Sequence, residues 1–159
     1  MTNGKENGIK VEKAVKESLE FYGKNAEDLI PILSKVNNEL GFIPKEAMKI
    51  ISETLRIPES RLYSVATFYK MLFTREMGRH VVKFCESAPC HVAGGRQIWT
   101  SIKDQLHLQP GETSSDGKWS LITVSCLGIC ASGPVMMIDE DAYGNLTAEK
   151  LPSIFARYQ

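Results

Sequence analysis

The sequence has no net charge to offer, because 19 Lys and Arg residues are balanced by 19 Asp and Glu. Without a basic field the chain as a whole recruits neither nucleic acid nor an anionic membrane surface, and partners must be sought through local surfaces. Long apolar runs are missing as well. The stretch Val135–Ile138 near the end of the chain falls far short of the roughly 20 residues that a membrane-spanning helix needs. The start, MTNGKENG, is polar and lacks the apolar core of a secretory signal and the Arg-rich, acid-poor character of a transit peptide. These absences lead us to expect a cytoplasmic protein of a prokaryote. A G-x-G-x-x-G turn is absent too, and Gly94-Gly95 is only a pair, so the chain shows no nucleotide site of its own.

What remains is patterned in two grammars. Residues 1–8 read as a disordered tail, and residues 9–78 read as a small helical bundle. Its first helix, from Lys10 to Tyr22, has Val11, Ala14, Val15, Leu19 and Tyr22 on one stripe and stops at Gly23. The second, Ala26–Leu40, has Leu29, Ile30, Leu33, Val36 and Leu40 at helical spacing and ends at Gly41, with Pro31 tolerated in the first turn. Pro44 opens a third with Ala47, Ile50, Ile51 and Leu55 inward, and Pro58 a fourth with Leu62, Val65, Phe68, Tyr69 and Leu72.

From His80 the period changes. HVVKFC and SLITVSC alternate as strands, HVAGGRQIWTSIKDQLH between them is helical, and LQPGETSSDGK is a polar connecting loop. Val135–Ile138 and Tyr143–Leu146 read as two short strands joined across Asp139–Ala142, with Asn145 helping the turn. Thr147 then caps a last helix that places Leu151, Ile154, Phe155 and Tyr158 on one face. The order predicts an α+β domain over residues 79–159.

Cysteine is scarce, and every one of the four is paired: Cys85 and Cys90 in CESAPC, Cys126 and Cys130 in CLGIC. If the two strands that lead into these pairs are neighbours, all four thiols meet at one sheet edge. Clustered thiolates in a reducing compartment favour soft metals over disulfides. Structural zinc knuckles have about two to four intervening residues, and these pairs sit at the loose end of that range. A 2Fe-2S cluster takes two thiolates per iron and suits two separate, wider pairs; the four-iron and plant-type ferredoxin spacings are absent, and a Rieske centre would need histidines that are not near Cys126 or Cys130. A dithiol oxidoreductase would want C-x-x-C, which neither pair has. Gly128, Ala131, Ser132 and Gly133 would let backbone N–H groups approach the sulfurs, or would only turn a loop.

The runs CESAPCHVAGG and SLITVSCLGICASGPVMMIDEDAYGNLT resemble the thioredoxin-like 2Fe-2S ferredoxin domain of the small iron-sulfur subunit of NADH:quinone oxidoreductase. Relatives occur in NAD-linked and electron-bifurcating hydrogenases and in NAD-dependent formate dehydrogenases. The segment LIPILSKVNNELGFIPKEAMKIISETLRIPESRLYSVATFYKMLF resembles the helical part that precedes the domain in that family, so the likeness runs from about Val11 to Arg157. The resemblance implies one 2Fe-2S cluster on Cys85, Cys90, Cys126 and Cys130, with the first pair on one iron and the second on the other. It also implies a one-electron carrier subunit whose partner is a flavoprotein that binds FMN and NAD(H) and carries its own iron-sulfur cluster. Further catalytic subunits of hydrogenase or formate dehydrogenase type would complete a soluble NAD(P)-linked complex. The short chain leans the reading toward a soluble hydrogenase, with the same subunit in a formate dehydrogenase or in a respiratory NADH:quinone oxidoreductase as the alternatives. No residue of this chain reads as catalytic in its own right.

Other residues have plainer readings. His91 reads as a surface or cap histidine beside Cys90, and His80 and His107 fall at element ends. Thr67, Phe68 and Tyr69 are expected to be core rather than docking residues, as are Trp99 and Trp119. The run Asp139–Asp141 reads as a solvated turn. Gly133-Pro134 stands where related folds hold a cis proline, although trans is the ordinary expectation.

Overall fold

The computed structural model describes residues 3–158. The chain divides into two units, one ending at Glu76 and the other starting at Met77.

Four helices make the first unit: α1 (Asn3–Tyr22), α2 (Leu29–Leu40), α3 (Lys45–Leu55) and α4 (Glu59–Phe68). Helix α1 starts seven residues ahead of the expected Lys10, through Gly4 and Gly8, whose low helix propensity favoured a tail. Met1 and Thr2 of the expected tail lie outside the described residues. A 3-10 turn (Ala26–Asp28) leads into α2, and Gly41 ends it in the left-handed region at φ 80°. Val15, Ile32, Leu33, Val36, Ile51 and Leu62 are wholly buried where the four apolar stripes meet. Tyr22 and Ile30 are exposed, at the edges of their stripes, and Ile32 takes the buried place expected of Ile30. The buried side chain of Asn37 holds the segment after α4: its oxygen accepts the Phe73 N–H at 2.8 Å and its amide donates to the Met71 carbonyl at 3.4 Å.

Phe68 is not in the core and meets Tyr69 edge-on, with ring centroids 5.1 Å apart. It is 77% exposed at the end of α4, and Thr67 is exposed beside it. The helix stops at Phe68 because Tyr69 takes up an extended conformation, so the stripe that was to bury Phe68, Tyr69 and Leu72 together is cut. Tyr69 lies partly buried against the core, and Leu72 is buried.

The second unit is a four-stranded sheet in the order β2-β1-β3-β4, made of β1 (His80–Cys85), β2 (Trp119–Val124), β3 (Met136–Ile138) and β4 (Asp141–Tyr143). β1 runs parallel to β2, in register from His80 opposite Trp119 to Cys85 opposite Val124, and antiparallel to β3. Between β1 and β2 come a one-turn helix α5 (Ala88–Cys90), a π turn (His91–Gly95) and helix α6 (Arg96–Leu106). Gly94 sits at φ 94° and breaks the run, so that α6 starts afresh. Val82, Phe84, Leu121, Met136 and Ile138 share one buried cluster with Ile98 and Ile102 of α6 and Leu151, Ile154 and Phe155 of α7 (Leu151–Phe155). Trp99 and Trp119 pack against this core as expected, Trp99 stacked on Phe84 with ring centroids 5.1 Å apart.

The hairpin is tighter than expected. β4 is Asp141–Tyr143, so only Asp139 and Glu140 form the turn, and Tyr143–Leu146 is no strand beyond its first residue. Asp139 is more than a solvated turn residue: its Oδ2 lies 2.7 Å from His80 Nδ1 and its Oδ1 accepts the Val81 N–H at 2.8 Å. That pair closes the end of the sheet away from Cys85. The Gly133-Pro134 peptide is cis, against the ordinary expectation for an X-Pro bond. Thr147 stands at the N-cap position expected of it, ahead of a 3-10 turn that leads into α7.

Candidate metal centre

A parallel pair of neighbouring strands delivers two loops to the same edge, because both strands end there. Cys85 is the last residue of β1, and Cys126 follows two residues after the end of β2. Cys90 returns on the single turn of α5, and Cys130 opens a 3-10 turn (Cys130–Ser132) that leads to Pro134 and β3. The edge is closed behind by Val135, whose carbonyl accepts the Cys85 N–H at 3.1 Å and whose side chain is buried with Cys85 and Cys90.

All four thiols form one connected group. The Cys85 thiol interacts electrostatically with those of Cys90 and Cys126, and the Cys130 thiol with that of Cys126. Among the described residues no group of three or more His, Cys, Asp or Glu side chains stands close enough together to hold a single metal ion. The pairs also differ in environment. Cys85 and Cys90 are 2% and 1% exposed, whereas Cys126 and Cys130 lie on the surface.

Electrostatics follow from that placement. Burial alone would raise the Cys85 thiol, but the N–H groups of Ser87 and Leu127, together with the Cys90 and Cys126 thiols, outweigh it and hold Cys85 below the ordinary thiol value. Burial pushes Cys90 up, and the neighbouring Cys85 adds to it against the Val135 N–H. Cys130 is raised by the Cys126 thiol and by that neighbour's charge. Four thiols this close resist ionising together, and a cation between them removes the conflict.

Backbone dipoles supply the rest. Gly128, at φ 80°, turns its N–H onto Cys126 Sγ at 3.3 Å. The N–H groups of Ser132 and Gly133, which the sequence suggested for the same task, are spent on the carbonyls of Ile129 and Cys130. The donors that sequence reading missed are those of Ser87, Leu127 and Val135, since nothing in a side-chain pattern marks a backbone N–H. Gly95 is small for a different reason: a β-carbon there would stand 2.5 Å from the Cys90 carbonyl oxygen. His91 is exposed, and His80 and His107 lie at a strand start and a helix end, so no histidine joins the thiol group. The donor set is thus all sulfur, paired and partly desolvated, with N–H groups aimed at it. That chemistry fits a 2Fe-2S cluster, which needs two soft anionic ligands per iron and gains from N–H···S bonds.

Comparison with known proteins agrees. A subunit of the NADH-quinone oxidoreductase of Escherichia coli (strain K12) is 37% identical over 147 residues, covering 92% of this chain and 89% of that one. The counterpart from Aquifex aeolicus (strain VF5), again a subunit of NADH-quinone oxidoreductase, is 28% identical over 144 residues, covering 91% and 90%. A chain of an NAD+-reducing [NiFe]-hydrogenase in its air-oxidised state superposes with a TM-score of 0.68 at 19% identity. It shares the fold over 80% of this chain, which spans 22% of the hydrogenase chain. The model of the thioredoxin-like [2Fe-2S] ferredoxin family matches residues 15–159, every cysteine included, and with the paired thiols at the shared end of two parallel strands the chain belongs to that family.

Proposed function

We propose that Cys85, Cys90, Cys126 and Cys130 ligate one 2Fe-2S cluster, the first pair on one iron and the second on the other. The observation that carries this reading is the parallel β1–β2 pair, which ends both strands at the edge where the two cysteine pairs follow, one pair buried and the other at the surface. Sequence-near ligands reach one metal more easily than distant ones. The cluster supplies a one-electron redox centre; the protein fixes its ligands, keeps water from the inner pair and aims N–H groups at the sulfurs. Four thiolates make the site anionic, which sets the potential toward the low end for such clusters.

The chain is an electron-transfer subunit of an NADH-linked oxidoreductase complex. Its partner in our reading is a flavoprotein subunit that holds FMN and NAD(H), in the cytoplasm. The quinone-linked complex is the assembly favoured, because the NADH-quinone oxidoreductase relatives match over about nine-tenths of their length. A hydrogenase assembly, bifurcating or not, is the second reading; the hydrogenase superposition speaks only to the fold. Among the described residues no helix is long and apolar enough to cross a membrane, so attachment to a quinone-reducing partner would run through other subunits.

Val92, 90% exposed, lies two residues after Cys90, and Ile129, 41% exposed, directly precedes Cys130. Apolar side chains beside a surface redox site suit a partner that covers it. Replacing both with glutamine leaves the core untouched and removes about 1.5–3 kcal/mol per side chain that docking would bury. Flavoprotein retention by the tagged double variant, purified from its native host beside the parent chain, should fall at least tenfold, since about 1.4 kcal/mol is a factor of ten. Mass spectrometry of the subunits held by the parent chain names the complex. Equal retention by both chains would remove these two side chains from the interface, and a parent that brings down no flavoprotein would remove the partner.

A further inference from the structure

The Cys130 turn is held from behind by a segment that touches no sulfur. After β4 the chain passes through Gly144 and Asn145, the latter in the left-handed region at φ 49°. Asn145 donates its N–H to the Ser132 carbonyl at 2.5 Å, and Leu146 donates to the Pro134 carbonyl at 3.3 Å. Lys150 Nζ in turn donates to the Asn145 carbonyl at 2.9 Å. Ser132 closes the 3-10 turn that Cys130 opens, and that turn is fastened to itself by the Gly133 N–H on the Cys130 carbonyl at 3.2 Å.

Gly144 lies so close to this turn that no side chain fits. A β-carbon there would stand 2.6 Å from Ser132 Cβ and 2.9 Å from the Ser132 carbonyl oxygen, both below any ordinary contact. Its φ is not in the left-handed region, so steric approach alone requires glycine. Neither obstructing atom is the free end of a flexible side chain; both move only if the Ser132 backbone moves. A turn closed by its own hydrogen bond shifts as a body, and Cys130 is two residues along it.

We propose that Gly144 and Asn145 are positioning residues for the metal centre, setting where the Cys130 sulfur stands relative to Cys126. The proposal rests on Cys130 being a cluster ligand. The sequence run YGNL looked like a strand and its turn.

The test compares holoprotein variants by the electron paramagnetic resonance spectrum and midpoint potential of the reduced cluster. Gly144→Ala should displace the g-values and shift the potential. Asn145→Ala, which adds no bulk and only loosens the left-handed turn, should broaden or shift the same lines to a smaller degree. Gly78→Ala is the control: its β-carbon would stand 2.7 Å from the Trp119 carbonyl carbon, an equal insult in the same unit but at the end of the sheet away from Cys85. It should lower the melting temperature and leave the spectrum as in the parent. Adding Ser132→Gly to Gly144→Ala removes the 2.6 Å contact and should return the spectrum part of the way. If Gly144→Ala yields no folded protein, Asn145→Ala and the double variant decide. Spectra of both superimposing on the parent, or a Gly78→Ala spectrum displaced as far as theirs, would overturn the proposal. Cys130→Ser separates the two failures: an unchanged spectrum there would instead remove Cys130 as a ligand.

Discussion

Cys85→Ser should abolish cluster loading, with iron and sulfide falling from about two each per chain to near zero and the visible charge-transfer absorption disappearing. The reason is burial. Cys85 is 2% exposed at the end of β1, with the Cys90 and Cys126 thiols and the N–H groups of Ser87 and Leu127 acting on its sulfur. A serine oxygen there is a hard ligand on a shorter bond, and no water can reach in to replace it. Because metal binding is coupled to folding, loss of the cluster also removes stability from the second unit. Cys130→Ser should be milder. Its turn is on the surface, where the serine or a solvent oxygen can complete the iron, so partial loading with an altered spectrum is expected. Iron and sulfide analysis of the two variants side by side checks the ranking, and equal loading of both would contradict the inner and outer pairs described above.

Phe84→Ala carries the second large effect, and it reaches the site through packing. Phe84 is 2% exposed, shares its buried cluster with Val82 and with Met136 opposite it on β3, and stacks on Trp99 of α6. Removing a buried aromatic side chain costs about 3–5 kcal/mol, a large share of the roughly 5–15 kcal/mol that holds a domain together. For a unit of this size the melting temperature should fall by on the order of 15 °C or more. The change also loosens the wall against Gly95, where a β-carbon would lie 3.6 Å from the ring and closer still to the Cys90 carbonyl. Faster cluster loss on warming should therefore accompany the drop in stability. Calorimetry of the holoprotein measures the first and bleaching at fixed temperature the second; a shift of only a few degrees would mean that the α6 face collapses to fill the space.

Much of the site was legible because strand period and thiol position are local. HVVKFC became β1 over the same six residues, and SLITVSC became β2 with the strand ending two residues ahead of Cys126. Once two such strands lie parallel side by side, their cysteines must share an edge. What the sequence hid was long-range. Asp139 finds His80 across 59 positions, and that bond makes a turn acid into a closure of the sheet. The Gly144–Asn145 segment looked like strand because its pull toward Ser132 cannot be seen in a period of two. Phe68 shows the same gap in the helical unit. Helical spacing placed it on the inward stripe, but the stripe holds only while the helix does, and α4 ends at that residue. The backbone donors at Ser87, Leu127 and Val135 leave no mark on any side-chain pattern.

The most direct test is a reductive titration of the anaerobically purified chain, followed by electron paramagnetic resonance with iron, sulfide and zinc determined on the same sample. The account predicts a reddish-brown protein with about two iron and two sulfide per chain that takes up one electron, bleaches, and gives a single rhombic signal. A colourless protein with one zinc and no signal would contradict it.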